Sequence, residues 1–144
     1  MEPGQAPKRL RALPTWLASQ VALLGGRIVT ARLDGAGVRR AHYALLVALE
    51  EDGPASQAAL GRRLGADRSD MHRTVSELEA RGYVDRGRDA ADRRRNVVRL
   101  TEEGSRALRE LDAGVDAAQR ELLAPLAEEE QAELQRLLAR VLER

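Results

Sequence analysis

The chain contains no cysteine and no phenylalanine, and its only aromatic residues besides histidine are Trp16, Tyr43 and Tyr83. Without cysteine there can be no disulfide, no thiolate metal ligand and no thiol-based redox switch. Two histidines, His42 and His72, leave little material for imidazole catalysis or a histidine-rich metal site, and no metal or other cofactor is expected. The longest apolar runs, Val21–Leu24 and Leu45–Leu49, fall far short of a transmembrane helix. The N-terminus also lacks the apolar stretch of a secretory signal. A soluble, cytoplasmic protein with no membrane partner is the expectation.

What is present favours helix. The 144 residues are 43% apolar and 33% charged, enough for one domain with a core of Leu, Val and Ala. Leu, Ala, Arg and Glu all rank high in helix propensity. The formal net charge of +1 conceals a strong division. Residues 1–61 carry seven basic and five acidic side chains, and residues 62–100 carry eleven and seven. Residues 101–144 reverse the sign, with six basic against eleven acidic. A basic middle followed by an acidic tail implies two surfaces with different tasks.

Residues 1–12, with Pro3, Gly4 and Pro7, read as a flexible arm. Pro14 suits the first turn of a long helix reaching about Leu33, on which Leu17, Val21, Leu24 and Ile28 recur at helical spacing. A second helix, from about Arg40 to Glu51, is apolar nearly all round and should be buried. Ser56 caps a short helix over Gln57–Leu64, and Asp67 caps another over Arg68–Arg81 that Gly82 terminates. Tyr83–Arg86 and Asn96–Leu100 form the strands of a hairpin. Thr101 then caps a helix that breaks near Pro125, and a last helix carries Leu134, Leu137, Leu138 and Val141. The fold class is therefore mainly α with a small β-wing: a winged helix-turn-helix with long flanking helices.

Two constellations carry chemistry. On the helix beginning at Arg68, Met71, Val75 and Leu78 define the core face, so Arg68, Ser69, His72, Arg73 and Ser76 share the opposite one. An N-terminal cluster of this kind is what a recognition helix offers to base edges in a major groove. Asp70 favours the positive end of the helix dipole instead. The hairpin tip gathers Arg93, Arg94 and Arg95 with Asp89 and Asp92, while Arg86 and Arg88 lie on its strand. Three adjacent arginines repel one another unless a polyanion meets them, and Asp92, two residues before Arg94, is placed to orient that guanidinium. A minor groove for Arg94 and a phosphate for Arg93 or Arg95 fit this arrangement. A salt-bridged hairpin and a solvated helix face that touch nothing are the plainer readings of the same residues.

The run Asp89-x-x-Asp92-Arg93-Arg94, followed by Leu100-Thr101-x-x-Gly104, resembles the wing signature of the MarR family of bacterial transcription regulators. The preceding stretch is similar to that family's helix-turn-helix: Leu60-Gly61, Leu64-Gly65, Asp67-Arg68-Ser69, Arg73, Val75, Leu78-Glu79, Gly82 and Val84. The likeness holds in residue detail over 56–104 and in element order over most of the chain. It implies a single domain over 1–144, with dimerisation helices at 13–37 and 101–144 and a DNA-binding lobe at 38–100. It also implies a homodimer on a pseudo-palindromic double-stranded DNA operator and repression by occupancy of that operator. The terminal apolar stripes agree with a dimer, although packing within one chain would also use them.

The resemblance further implies a pocket for a small anionic aromatic effector. Trp16 and Arg27 on the first helix and His42 and Tyr43 on the second are the candidates, supplying stacking, a carboxylate partner and tunable donors. Each also has an ordinary explanation: a dimer anchor, a surface charge, a hydrogen-bonded core histidine and a core tyrosine. The lack of cysteine excludes the thiol-oxidation sensing of one branch of the family. Two other functions compete: a winged-helix adaptor that binds protein, and a ligand-independent DNA-binding activator. No nucleophile elbow, phosphate loop or metal-ligand spacing is present, so an enzyme is not expected.

Overall fold

The computed structural model describes residues 5–144. Among these, seven helices and one two-stranded sheet follow in the order α1 (Lys8–Arg11), α2 (Pro14–Asp34), α3 (Arg40–Asp52), α4 (Gln57–Leu64), α5 (Arg68–Ala80), β1 (Val84–Arg88), β2 (Asn96–Leu100), α6 (Glu102–Leu123) and α7 (Glu128–Leu142). They form two compact units. One comprises the described residues up to Arg32 together with Val115–Arg144, and the other is Leu33–Gly114.

The central unit, Leu33–Gly114, has an aliphatic core. Leu45, Leu46 and Leu49 of α3, Leu60 of α4, Met71, Val75 and Leu78 of α5, and Val84, Val97 and Val98 of the ribbon are all buried. Each leucine so enclosed stabilises the fold by roughly 2 kcal/mol. Leu33, Val38, Leu108 and Leu111 are buried as well. The boundary between the two compact units therefore falls inside α2 and α6. The last turn of α2 and the first turns of α6 carry leucines that complete this core.

Local chemistry sets the element ends. Ser56 Oγ accepts from the Ala59 N–H at 3.1 Å, and Asp67 Oδ1 accepts from the Asp70 N–H at 2.8 Å, capping α4 and α5. Helix α5 closes in a Schellman motif: the Tyr83 N–H donates to Leu78 O, the Gly82 N–H donates to Glu79 O, and Gly82 has φ 78°. Because Tyr83 serves this cap, β1 starts at Val84 and continues to Arg88, two residues beyond the expected end. The strands are antiparallel, with Val84 opposite Leu100, Arg86 opposite Val98 and Arg88 opposite Asn96. Ala55, in the α3–α4 linker, exchanges both backbone hydrogen bonds with Val98 and forms an isolated bridge on the far edge of β2.

The other unit is built differently. Among its described residues, Ala6 and Ala118 are buried, whereas Leu13, Leu17, Val21, Leu23 and Leu24 of the α2 segment and Leu137, Leu138, Val141 and Leu142 of the C-terminal segment are exposed. Gly25 lets α2 approach Leu122 of α6 closely. After the Pro125 break, the Gln131 side-chain amide donates to Leu123 O and Leu126 O, satisfying carbonyls at the end of α6. The arm expected at 1–12 lies partly outside the described residues; within them Lys8–Arg11 form a helical turn, with Arg11 Nε donating to Ala6 O.

The start of α6 is a close backbone approach. The Thr101 N–H donates to Tyr83 O at 3.1 Å, and its hydroxyl donates to Gly82 O at 2.6 Å while accepting from the Gly104 N–H at 3.0 Å. A Cβ on Gly104 would collide with the Tyr83 carbonyl and with Leu100. Glycine-to-alanine inside a helix ordinarily gains about 1 kcal/mol. Here Gly104→Ala should instead destabilise by about 2 kcal/mol or more, because backbone must yield. Urea unfolding of the variant measures this, and a stability at or above that of the parent would contradict the geometry.

Candidate nucleic-acid interface

Helix α5 turns Met71, Thr74, Val75 and Leu78 inward and leaves Arg68, Ser69, His72 and Arg73 exposed. The five polar residues expected to form one face are thus not equivalent. Arg73 Nε lies 3.4 Å from Glu77 Oε1, one helical turn on. Ser76 is half-buried, and its Oγ accepts from the Arg86 guanidinium at 3.1 Å. Its hydroxyl is already tied to the wing strand. Arg68 has no ion pair among the described residues, and with Gln57, Arg62, Gly61 and Met71 it lines a cavity of about 650 Å³ along α4 and α5.

The wing tip is ordered by its two acids. The Asp89 N–H donates to Arg95 O at 2.8 Å and the Arg95 N–H to Asp92 O at 3.0 Å, closing the loop. Asp89 Oδ1 accepts from the Ala91 N–H at 2.9 Å, and Asp89 Oδ2 lies 3.9 Å from the Arg95 guanidinium. Asp92 Oδ1 accepts from both the backbone N–H and the Nε of Arg94, at 3.1 and 3.3 Å, while the Arg94 side chain stays 92% exposed. Ion pairs this open contribute about 0–1 kcal/mol to stability. Their effect is on direction: Arg94 is aimed, Arg95 is drawn toward Asp89, and Arg93 has no ion-pair partner among the described residues. Arg88 steadies the loop by donating to Arg93 O at 3.0 Å.

Residues outside the predicted set complete this surface. Arg86 reaches Glu79, Ser76, Gln57 and the His72 carbonyl at once. Period-two alternation was the available signal, since Arg86 shares a ribbon face with the buried Val84 and so must find partners there. Gln57 and Arg62 carry no sequence signal beyond a polar helix start.

The four effector candidates fall in different places. Trp16 and Arg27 line an open apolar groove of about 530 Å³ on α2 with Leu17, Gln20, Val21, Leu23 and Leu24. His42 and Tyr43 belong to the central unit, with polar atoms already engaged. The Tyr43 hydroxyl donates to Asp112 Oδ1 at 2.6 Å. His42 Nδ1 accepts from the Arg39 N–H at 2.9 Å, so the proton of the neutral ring lies on Nε2 and faces Glu77 Oε2 at 3.1 Å. Burial, reinforced by the neighbouring Arg39 and Arg81 charges, pushes the His42 pKa below its ordinary value against the pull of Glu77. The hydrogen bond from Arg39 holds the Glu77 carboxyl below the usual range. Among the described residues no group of three His, Asp or Glu is placed to hold a metal ion, and no helix is long and apolar enough to cross a membrane.

A two-stranded arginine wing beside a capped, basic helix-turn-helix defines a winged helix-turn-helix transcription regulator. The chain belongs to the MarR family, which it matches over residues 36–95. It is similar over nearly its whole length to a probable transcriptional regulator from Pseudomonas aeruginosa, with 33% identity, a TM-score of 0.80, and coverage of 92% of this chain and 99% of the other. PcaV from Streptomyces coelicolor, a transcriptional regulator solved with its natural ligand, is 35% identical at a TM-score of 0.72, covering 95% and 96%. CouR from Rhodococcus jostii RHA1, solved bound to p-coumaroyl-CoA, is 29% identical at a TM-score of 0.81, covering 94% and 95%. The family is one of transcriptional regulators, not of enzymes.

The buried histidine makes stability depend on pH. With its folded pKa depressed below the ordinary 6.5, the unfolded chain takes up the proton first as pH falls. Stability is therefore full above that value and declines as pH drops through it. Urea unfolding at about pH 7.5 and about pH 5.5 should show the loss, and His42→Gln should remove much of it. An equal decline in the variant would place the effect elsewhere.

Proposed function

We propose that this protein is a homodimeric, ligand-responsive repressor that occupies a pseudo-palindromic operator. In this reading α5 enters the major groove with Arg68, Ser69, His72 and Arg73 leading, and Ser76 lies deeper on the helix. The wing delivers Arg94 to the minor groove, with Asp92 as its orienting partner, and Arg93 and Arg95 meet phosphates. The observation that carries this reading is Arg94 itself. It is almost wholly exposed, yet held at both its backbone and its Nε by one carboxylate. An aimed and unburied guanidinium is organised for something outside the protein.

The exposed leucines and valines of α2 and α7 support a homodimer, because so much apolar surface is rarely left to solvent by a monomer. A small anionic aromatic effector is supported by the indole of Trp16 and the guanidinium of Arg27 bordering one groove, and by the p-coumaroyl-CoA bound to CouR. His42 and Tyr43 would take part only by giving up Glu77, Arg39 or Asp112.

A duplex selected by the wild-type protein from a random-sequence pool provides the test. Arg94→Ala should weaken binding about tenfold or more, as should Arg73→Ala. Loss of a phosphate contact lowers the salt slope by about one, whereas loss of a base contact relaxes preference at one position. Unchanged affinity in the double variant would sink the proposed contact surface. Light scattering should give twice the 15.8 kDa chain mass. Leu24→Glu with Leu138→Glu should yield a folded monomer that binds the duplex poorly; a wild-type dimer would show that these faces are not the interface.

A further inference from the structure

Arg86 lies two residues before the end of β1, opposite Val98, and its side chain turns away from the wing tip. One guanidinium nitrogen donates to Glu79 Oε1 at 2.8 Å. The other lies 3.1 Å from Ser76 Oγ, 3.4 Å from Gln57 Oε1 and 3.5 Å from His72 O. The backbone N–H of Arg86 reaches Glu79 Oε2 at 3.3 Å, so this carboxylate holds the residue at two points. A single side chain thus joins the wing strand to the first residue of α4 and to three positions on α5. It is the least exposed arginine in the ion pairs of this surface, at 31%, against 64% for Arg73 and 92% for Arg94.

We infer that Arg86 is a positioning residue that sets where the wing stands relative to the recognition helix, acting on the operator through Arg94 and not by touching DNA itself. The inference rests on the proposed DNA-binding reading and deepens it. The ribbon's base is fixed on its other edge by the Ala55–Val98 bridge. Beyond Arg88 and Asn96 no strand pairing remains among the described residues. At about 3.3 Å per residue the loop stands roughly 13 Å past Arg86, so a small tilt at the base becomes a displacement of ångströms at Arg94. The flat, five-donor fork matters here, because a lysine ammonium could satisfy Glu79 but could not span Gln57, His72 O and Ser76 as well. Arg86 also holds the Ser76 hydroxyl as an acceptor.

The test is a double-mutant cycle of Arg86→Lys and Arg94→Ala on the selected duplex, with amide exchange of the wing in the free protein. Arg86→Lys keeps the charge, and circular dichroism and thermal unfolding establish that it is folded. The expected result is about tenfold weaker binding, faster exchange across β1 and β2, and strong non-additivity, such that adding Arg94→Ala to the Arg86→Lys variant weakens it further by less than about threefold. Wild-type affinity for Arg86→Lys would overturn the inference. So would strictly additive losses accompanied in Arg86→Gln by a salt slope lower by about one, which would make Arg86 a direct phosphate contact. Wild-type binding by Arg94→Ala alone would instead reject the wing as a contact surface, and with it any action of Arg86 through Arg94; the exchange measurement would still report on the clasp.

Discussion

The wing depends on a knot of backbone at its root. There the end of α5, the first residue before β1 and the start of α6 meet within a few residues, and Thr101 ties all three through Gly82, Tyr83 and Gly104. Only a residue without a side chain can occupy position 104, because the Tyr83 carbonyl fills the space a Cβ would need. The hydrogen bonds made there satisfy groups that would otherwise be orphaned at two helix ends. The ribbon can therefore leave the unit at a defined place, and the tip inherits that definition through two antiparallel strands, the Ala55–Val98 bridge and the Arg86 contacts.

Acids on this surface act as rulers more than as sources of stability. Asp92, Asp89, Glu77 and Glu79 each engage at least one arginine in a solvent-exposed setting, where such pairs count for little energetically. What they change is the range of directions open to long, flexible cations. Glu77 is the most heavily used, serving Arg39, His42 and Arg73 together. It thus connects a buried, pH-sensitive imidazole to an exposed arginine of α5. The lobe's charge pattern is consequently cooperative: moving one carboxylate disturbs several cations.

Much of this organisation could be read from local sequence rules, and the parts that could not share a physical reason. Ser56, Asp67, Gly65 and Gly82 mark helix ends because capping and positive φ are short-range requirements, so the bounds of α4 and the start of α5 were legible. The Asp92–Arg94 hydrogen bond was legible for the same reason, being two residues long. The Ala55–Val98 bridge, the Arg86 partners and the division of α2 and α6 between two units depend on residues distant in sequence, which no periodicity reports. His42 illustrates the boundary: its helical position advertised burial and its Nδ1 meets the nearby Arg39 N–H, but the partner of its Nε2 is Glu77, thirty-five residues away. The central unit needs no aromatic ring because leucines and valines from several helices and both strands converge on it, which composition alone hinted at.

The outer edge of β1 has a consequence for how copies of this chain behave in a crowded solution. A short ribbon that leaves one edge without a neighbouring strand offers a template on which another chain could add itself. Here that edge reads Asp85, Arg86, Gly87, Arg88, and the Arg86 N–H is already covered by the Glu79 carboxylate. Strands paired with Arg86 opposite Arg86 would set like charges side by side, and any pairing at that N–H would first have to displace an acid. The arginines that give the wing its positive charge therefore also oppose pairing of this exposed edge with a second copy.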